Sequence, residues 1–177
     1  MALAYDHQVV HRQFNYYAAS YSNMDTFIKS QLGMPLVIRS VFISKETRDW
    51  IAEGGEREDR GARWQNHFHD PLEPWDSAGL DIPLFPTGIS SLAWAQLSDD
   101  PGGYSYNAFS WIAARNNYYK ALTTGSESDW KLTFQALGQV MHLVADAAVP
   151  AHVRNDTHPL GDPYEKWAKE QAALGLL

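Results

Sequence analysis

The sequence predicts an all-α fold, a helical bundle in a single domain spanning residues 1–177. Three observations carry that expectation. Apolar residues recur at helical spacing in most windows long enough to test. Those windows are bounded by residue types that start and stop helices. Only "LVIRSVFIS" at 36–44 has the β-branched density of a strand, and a buried helix or loop accounts for it equally well.

Residues 6–20, "DHQVVHRQFNYYAAS", place Val10, Phe14, Tyr17 and Ala18 at helical spacing. "SNMDTFIKSQLG" opens with Ser22 and Asp25 in a capping-box arrangement and closes on Gly33. A short helix over Ser44–Glu53 is expected to stop at Gly54-Gly55. Between Asp70 and Pro86, the prolines at 71, 74, 83 and 86 and Gly79 enforce a loop. A short helix around Ser91–Leu97 ends at "DDPGG", and residues 105–123 read as a long one. Ser128 is expected to cap the longest helix, Asp129 to about Ala147, with Leu137, Val140, Met141 and Val144 as its core stripe. A last helix runs from about Pro163 to Leu174.

Composition narrows the function. At 177 residues and 45% hydrophobic, the chain is one domain with enough apolar surface for a core. A net charge of −7 offers no basic footprint for duplex nucleic acid or an anionic membrane. It leaves open chemistry on a single phosphate, where bound cations would supply the positive charge. With no cysteine, disulfides and thiolate sites are excluded. No apolar run approaches the roughly 20 residues of a transmembrane helix. "MALAYDHQ" lacks the basic and apolar regions of a signal peptide. Ala2-Leu3-Ala4 does have the form of a leader cleavage site, so a secreted or periplasmic location is expected.

The seven histidines fall in three clusters, His7/His11, His67/His69 and His142/His152/His158, each beside carboxylates. His142 and Asp146 stand at i, i+4, so their side chains converge, and Gly138 one turn earlier leaves room on that face. A helix-surface pair is the plainer reading of these two residues; metal ligation is the other. Pro150 then breaks the helix and lets His152 return over the same face, while "VRNDTHPLGDPYEKW" supplies His158 and Glu165. Imidazole and carboxylate donors without thiols suit zinc. In "NHFHDP", His67 and His69 point to opposite sides of an extended segment, so one of them is expected to be a ligand. His11 lies beside Val10 and Phe14, and a structural helical histidine is its plainer reading. Such groups are costly to bury separately, and shared cations would offset that cost together.

In order along the chain, the N-terminal His helix, "NHFHDP", "LGQVMHLVADAAVPAHV" and "PYEKW" resemble the zinc-dependent phospholipase C family. That family belongs with the fungal single-strand-specific nucleases in one superfamily. The H-x3-D-x5-H element (His142, Asp146, His152) is the most specific part, supported by H-F-x-D-P from His67 to Pro71. The resemblance implies an all-helical fold with a polynuclear zinc site of two or three Zn²⁺ in a cleft between helices. Phosphodiesters are then hydrolysed by zinc-activated water. His67, His142 and Asp146 are implied to hold one ion, and His152 and Glu165 a second with one further His. His11 and an acid before "NHF" hold the third, with Asp146 able to bridge. Asp59 is taken as that acid and as the catalytic residue that orients or deprotonates the water, with Glu58 next.

Tyr164-Glu165 and "HFHDP" favour a lipid phosphodiester substrate and peripheral membrane contact. A nuclease or other phosphate-ester hydrolase with the same site is the alternative, as is a non-catalytic helical domain with a partial metal site. Where the family has a His four residues before the final Glu this chain has Gly161, which makes His158 the expected substitute. The family's third ion also uses an N-terminal Trp; here the first Trp is Trp50, and cleavage after Ala4 would leave Tyr5 at the terminus. Phe68, Trp64 and Tyr104 are candidates for an apolar wall beside the substrate.

Overall fold

The computed structural model describes residues 7–24, 26–27, 30, 46–81, 83, 87–101, 106–157 and 161–175, among which no strand forms. A π-helical turn, His7–His11, runs into α1 (Arg12–Tyr21). α2 covers Thr47–Glu58 and is followed by a 3-10 turn, Arg63–Asn66. α3 is Ser91–Trp94, α4 Trp111–Thr124, α5 Glu127–Asp146 and α6 Pro163–Ala173. The strand-like run 36–44 and the stop at Gly33 lie outside the described residues. No described helix is long and apolar enough to cross a membrane.

Local chemistry sets several helix ends. Ser110 caps α4 by accepting the Ala113 N–H at 3.1 Å, so α4 begins after it rather than at 105. Gly125, with φ of 65°, closes α4 in the left-handed conformation. Asp162 accepts the N–H groups of Tyr164 and Glu165, and Pro163 occupies the first turn of α6. α5 starts two residues earlier than the capping expectation, at Glu127 after Ser126, with the Ser126 and Ser128 hydroxyls 2.7 Å apart.

The bundle is organised by α5, which packs on α2 and α4. Here two expectations are corrected. α2 does not stop at Gly54-Gly55 but continues through them to Glu58. Both glycines serve close approach: a Cβ on Gly54 would overlap the Gln135 carbonyl, and one on Gly55 the Asn15 amide. Gly138 likewise leaves room for the Ile51 carbonyl of α2, not for a ligand. Asn15 of α1, buried at this crossing, donates its amide to the carbonyls of Gly138 (2.8 Å) and Ile51 (3.3 Å). Three helices are thereby fastened at one point.

The buried faces of α1 and α5 are also rotated from the expected ones. On α5, Val144 is 69% exposed, while Gln135, Gln139, His142 and Asp146 are buried. On α1, Phe14 and Tyr17 are exposed, whereas His11, Asn15 and Ala19 are buried. Each helix turns a polar stripe inward. Apolar packing flanks those stripes: Ala19, Trp50, Ile51, Ala121, Trp130 and Phe134 form one core, with Leu137 and Met141 against it. Val10, Val149, Ala151, Ala168 and Ala172 form a second, joining the N-terminal turn to α6.

Gly138→Ala tests the crossing. In an unobstructed helix this change stabilises by about 1 kcal/mol; against the Ile51 carbonyl it is expected to destabilise by about 1–3 kcal/mol. Urea denaturation reads the sign, and a gain in stability would contradict the close approach.

Candidate metal centre

Six segments deliver polar side chains to one buried point. α5 contributes His142 and Asp146, one turn apart on its inward face. Asp59 caps the C-terminus of α2, and His67 ends the 3-10 turn that follows. The π-turn brings His11, the turn after Pro150 brings His152, and the first turn of α6 brings Glu165. The His69 N–H donates to the His152 carbonyl at 2.9 Å, fastening two of the contributing loops together. All seven residues are buried, none more than 6% exposed.

Asp146 is the hub. Its Oδ2 lies 2.9 Å from His67 Nδ1, 3.2 Å from His142 Nε2 and 3.4 Å from His152 Nδ1, while Oδ1 is 3.2 Å from His11 Nε2. Asp59 Oδ1 stands 3.6 Å from both His67 Nδ1 and His142 Nε2, and those two nitrogens are 3.3 Å apart. One atom each from Asp59, His67 and His142 therefore bounds a small volume able to hold one metal ion, with Asp146 Oδ2 against the two imidazoles. His11, stacked on His142 with ring centroids 3.6 Å apart, forms a second such group with His142 and Asp146. His152 Nε2 faces Glu165 Oε1 at 3.5 Å on the far side.

His142 fixes the polarity of this arrangement. Its Nδ1–H donates to the Gly55 carbonyl at 2.7 Å, leaving Nε2 as its one ligand atom. A single nitrogen lone pair serves one ion at a time. When the group with Asp59 and His67 takes it, His11 and Asp146 Oδ1 remain for the other.

The electrostatics fit a cation. Neither oxygen of Asp59 accepts a hydrogen bond, and those of Asp146 are faced by imidazole nitrogens, although both carboxylates are buried. Carboxylates in that condition are costly to keep ionised without positive charge nearby. Burial pushes the Asp146 carboxyl up, but His142, His152, His11 and His67 outweigh it and hold it well below the usual carboxylate range. Asp59 has less compensation, and burial, aided by Asp146 and Glu58 against the pull of His142, raises it to about 7. Burial pulls the imidazoles down, and for His11 and His67 it prevails, to about 4. For His142 the carboxylates of Asp146 and Asp59 prevail, to about 9; for His152 those of Asp146 and Glu165 do, to about 10.

The expected site residues His11, Asp59, His67, His142, Asp146, His152 and Glu165 are thus brought together, while His158 lies outside the described residues. Their grouping differs from the implied one: Asp59 faces His67 and His142 instead of forming a set with His11, and His11 groups with His142 and Asp146. His69 turns away, with Nδ1 2.8 Å from the Ser90 hydroxyl and its ring edge-on to Trp75. Phe68 is buried against the His152 ring, 4.9 Å between centroids, and backs a donor instead of lining open space. Trp64 is half-buried, and Tyr104 is outside the described residues. Gly161 has φ of 97°, a conformation that strains any side chain, which accounts for the absence of a His there. Sequence inspection missed the Gly55 carbonyl and the buried Asn15. Neither carries a local signal, because both act through a helix crossing.

Binding a cation at this centre requires protons to leave. In the metal-free protein at pH 7, His142 and His152 are protonated and Asp59 about half so. These groups have folded-state values at or above neutrality, so raising the pH strips their protons and strengthens binding. Calorimetry of Zn²⁺ binding in buffers of different ionisation enthalpy is expected to show about two to three protons released at pH 7. Affinity should rise from pH 6 to 8; binding without proton release would contradict the ligand set.

Comparison of the chain with protein-family models, curated proteins and solved structures finds no match in any of the three.

Proposed function

We propose that the protein is a zinc-dependent phosphodiesterase and that its substrate is a phospholipid headgroup ester. The observation that carries this reading is the surplus of donors. A structural zinc is saturated by four ligands, whereas seven buried imidazole and carboxylate residues converge here, with imidazoles on both oxygens of Asp146. Two or three ions account for that number, and clustered ions suit a phosphodiester. Tetrahedral zinc with bonds of about 2.0–2.1 Å spaces its ligands about 3.3–3.4 Å apart. The separations of Asp59 and Asp146 from His67 and His142, and of the two imidazoles from each other, 2.9–3.6 Å, bracket that spacing.

Bound zinc supplies Lewis acidity toward phosphoryl oxygens and acidifies water. The chain's own residues do the rest. Gly55 holds His142 so that Nε2 faces the centre, and the carboxylate of Asp146 keeps four imidazoles in register. Asp59 Oδ2 accepts no hydrogen bond, which suits a general base taking a proton from attacking water. Lipid is favoured over nucleic acid by the net charge of −7 and by the Tyr164-Glu165 and "HFHDP" elements. A secreted or periplasmic location and peripheral contact with a lipid surface accompany this reading. One observation favours a second reading, a non-catalytic metal domain: every donor is buried.

Zinc-loaded protein is to be assayed on phosphatidylcholine vesicles and on single-stranded DNA, with chelator and with zinc restored. Headgroup release that chelation abolishes and zinc restores is expected. Cleavage of DNA alone would replace the substrate class, and no turnover by protein shown to contain zinc would leave the non-catalytic reading. Asp59→Asn is expected to lower kcat by about 10²- to 10⁴-fold, with elemental analysis separating loss of zinc from loss of the base.

A further inference from the structure

Behind the ligand set lies a second layer of buried polar groups. Glu58, the last residue of α2 and fully buried, accepts Arg63 Nε at 2.9 Å and Arg63 Nη2 at 2.6 Å on Oε2. Its Oε1 accepts Trp94 Nε1–H at 2.8 Å. Arg63 is itself held in place: Nη2 donates to Asn107 Oδ1 at 2.9 Å, and the guanidinium lies over the rings of Trp94 (4.9 Å) and Phe109 (5.6 Å). Asn107, also buried, donates its amide to the Trp94 carbonyl at 3.0 Å. Glu58 precedes Asp59, and Arg63 opens the 3-10 turn that delivers His67. The ion pair therefore closes the turn that holds Asp59 and fixes the start of the 3-10 turn that leads to His67.

The geometry also separates the two nitrogens of His67. Nδ1 faces Asp146 Oδ2 at 2.9 Å, His142 Nε2 at 3.3 Å and Asp59 Oδ1 at 3.6 Å. Nε2 points the other way, is buried with no hydrogen bond, and has Glu58 Oε1 at 4.0 Å. A histidine that binds metal through one nitrogen characteristically presents the other N–H to a carboxylate or carbonyl, which fixes its tautomer and ring orientation. For His142 the Gly55 carbonyl fills that place. With both Glu58 oxygens engaged by Arg63 and Trp94, Glu58 is placed for the same role and not as a ligand.

We propose that Glu58, clamped by Arg63 and Trp94, is the positioning carboxylate for His67, directing the Nε2 proton outward and presenting Nδ1 to the metal. This rests on the metal reading of the site. It is tested on the full chain without reference to activity. Zinc affinity, measured by competition with a chromogenic chelator, is expected to weaken about 10- to 100-fold in Glu58→Gln. Arg63→Met should weaken it in the same direction, and Arg63→Lys should restore part of the loss. In the zinc-loaded wild type, ¹⁵N NMR of the imidazoles is expected to show His67 coordinated through Nδ1 and protonated on Nε2. Wild-type affinity in Glu58→Gln overturns the proposal, as does coordination through Nε2. The wild-type spectrum decides the matter if Glu58→Gln does not fold. Wild-type protein that binds no zinc overturns the metal reading together with this one, whereas zinc held through His67 Nε2 overturns this one alone.

Discussion

The structure depends on one buried carboxylate. Asp146 sits at the end of the longest helix with four imidazole nitrogens within 3.4 Å of its oxygens. An isolated charge at that depth would be prohibitive. It is tolerated because the chain folds so that the N-terminal turn, the loop after α2, the turn after Pro150 and α5 itself all bring a nitrogen to it. The other arrangements follow from that convergence, including the inward polar faces of α1 and α5 and the small second core between Val10 and α6.

Close helix contact makes the convergence geometrically feasible. Where Gly54 meets Gln135 and Gly138 meets Ile51, α2 and α5 approach backbone to backbone. That approach puts the Gly55 carbonyl within 2.7 Å of the His142 ring. Helix packing and the choice of ligand atom are thus one feature. Asn15 ties α1 into the same crossing, next to the turn that carries His11.

Part of this was legible in the sequence. The His142–Asp146 spacing puts both side chains on one face whatever surrounds the helix, and Pro150 makes the return of His152 readable. All-helical architecture follows from periodicity and caps. What could not be read depends on contacts distant along the chain. Val144 looks like a core residue and is exposed, because the inward face was claimed by polar groups whose partners lie elsewhere. Gly54-Gly55 has the composition of a helix stop, and only the presence of α5 and Asn15 shows why α2 runs on. Asp59 stands out by its position before "NHF", but its company, His67 and His142, is decided by how α2 meets α5.

The order in which donors occur along the chain has a consequence for assembly. His11 emerges from the ribosome early and Glu165 after all the others, yet His11 borders Asp146 and Glu165 joins the same cluster through His152. A nascent chain holds an incomplete set of donors until α6 has been synthesised. A centre able to hold a cation is therefore complete only once the bundle closes, and quality control that senses unclosed chains would be reading the same geometry.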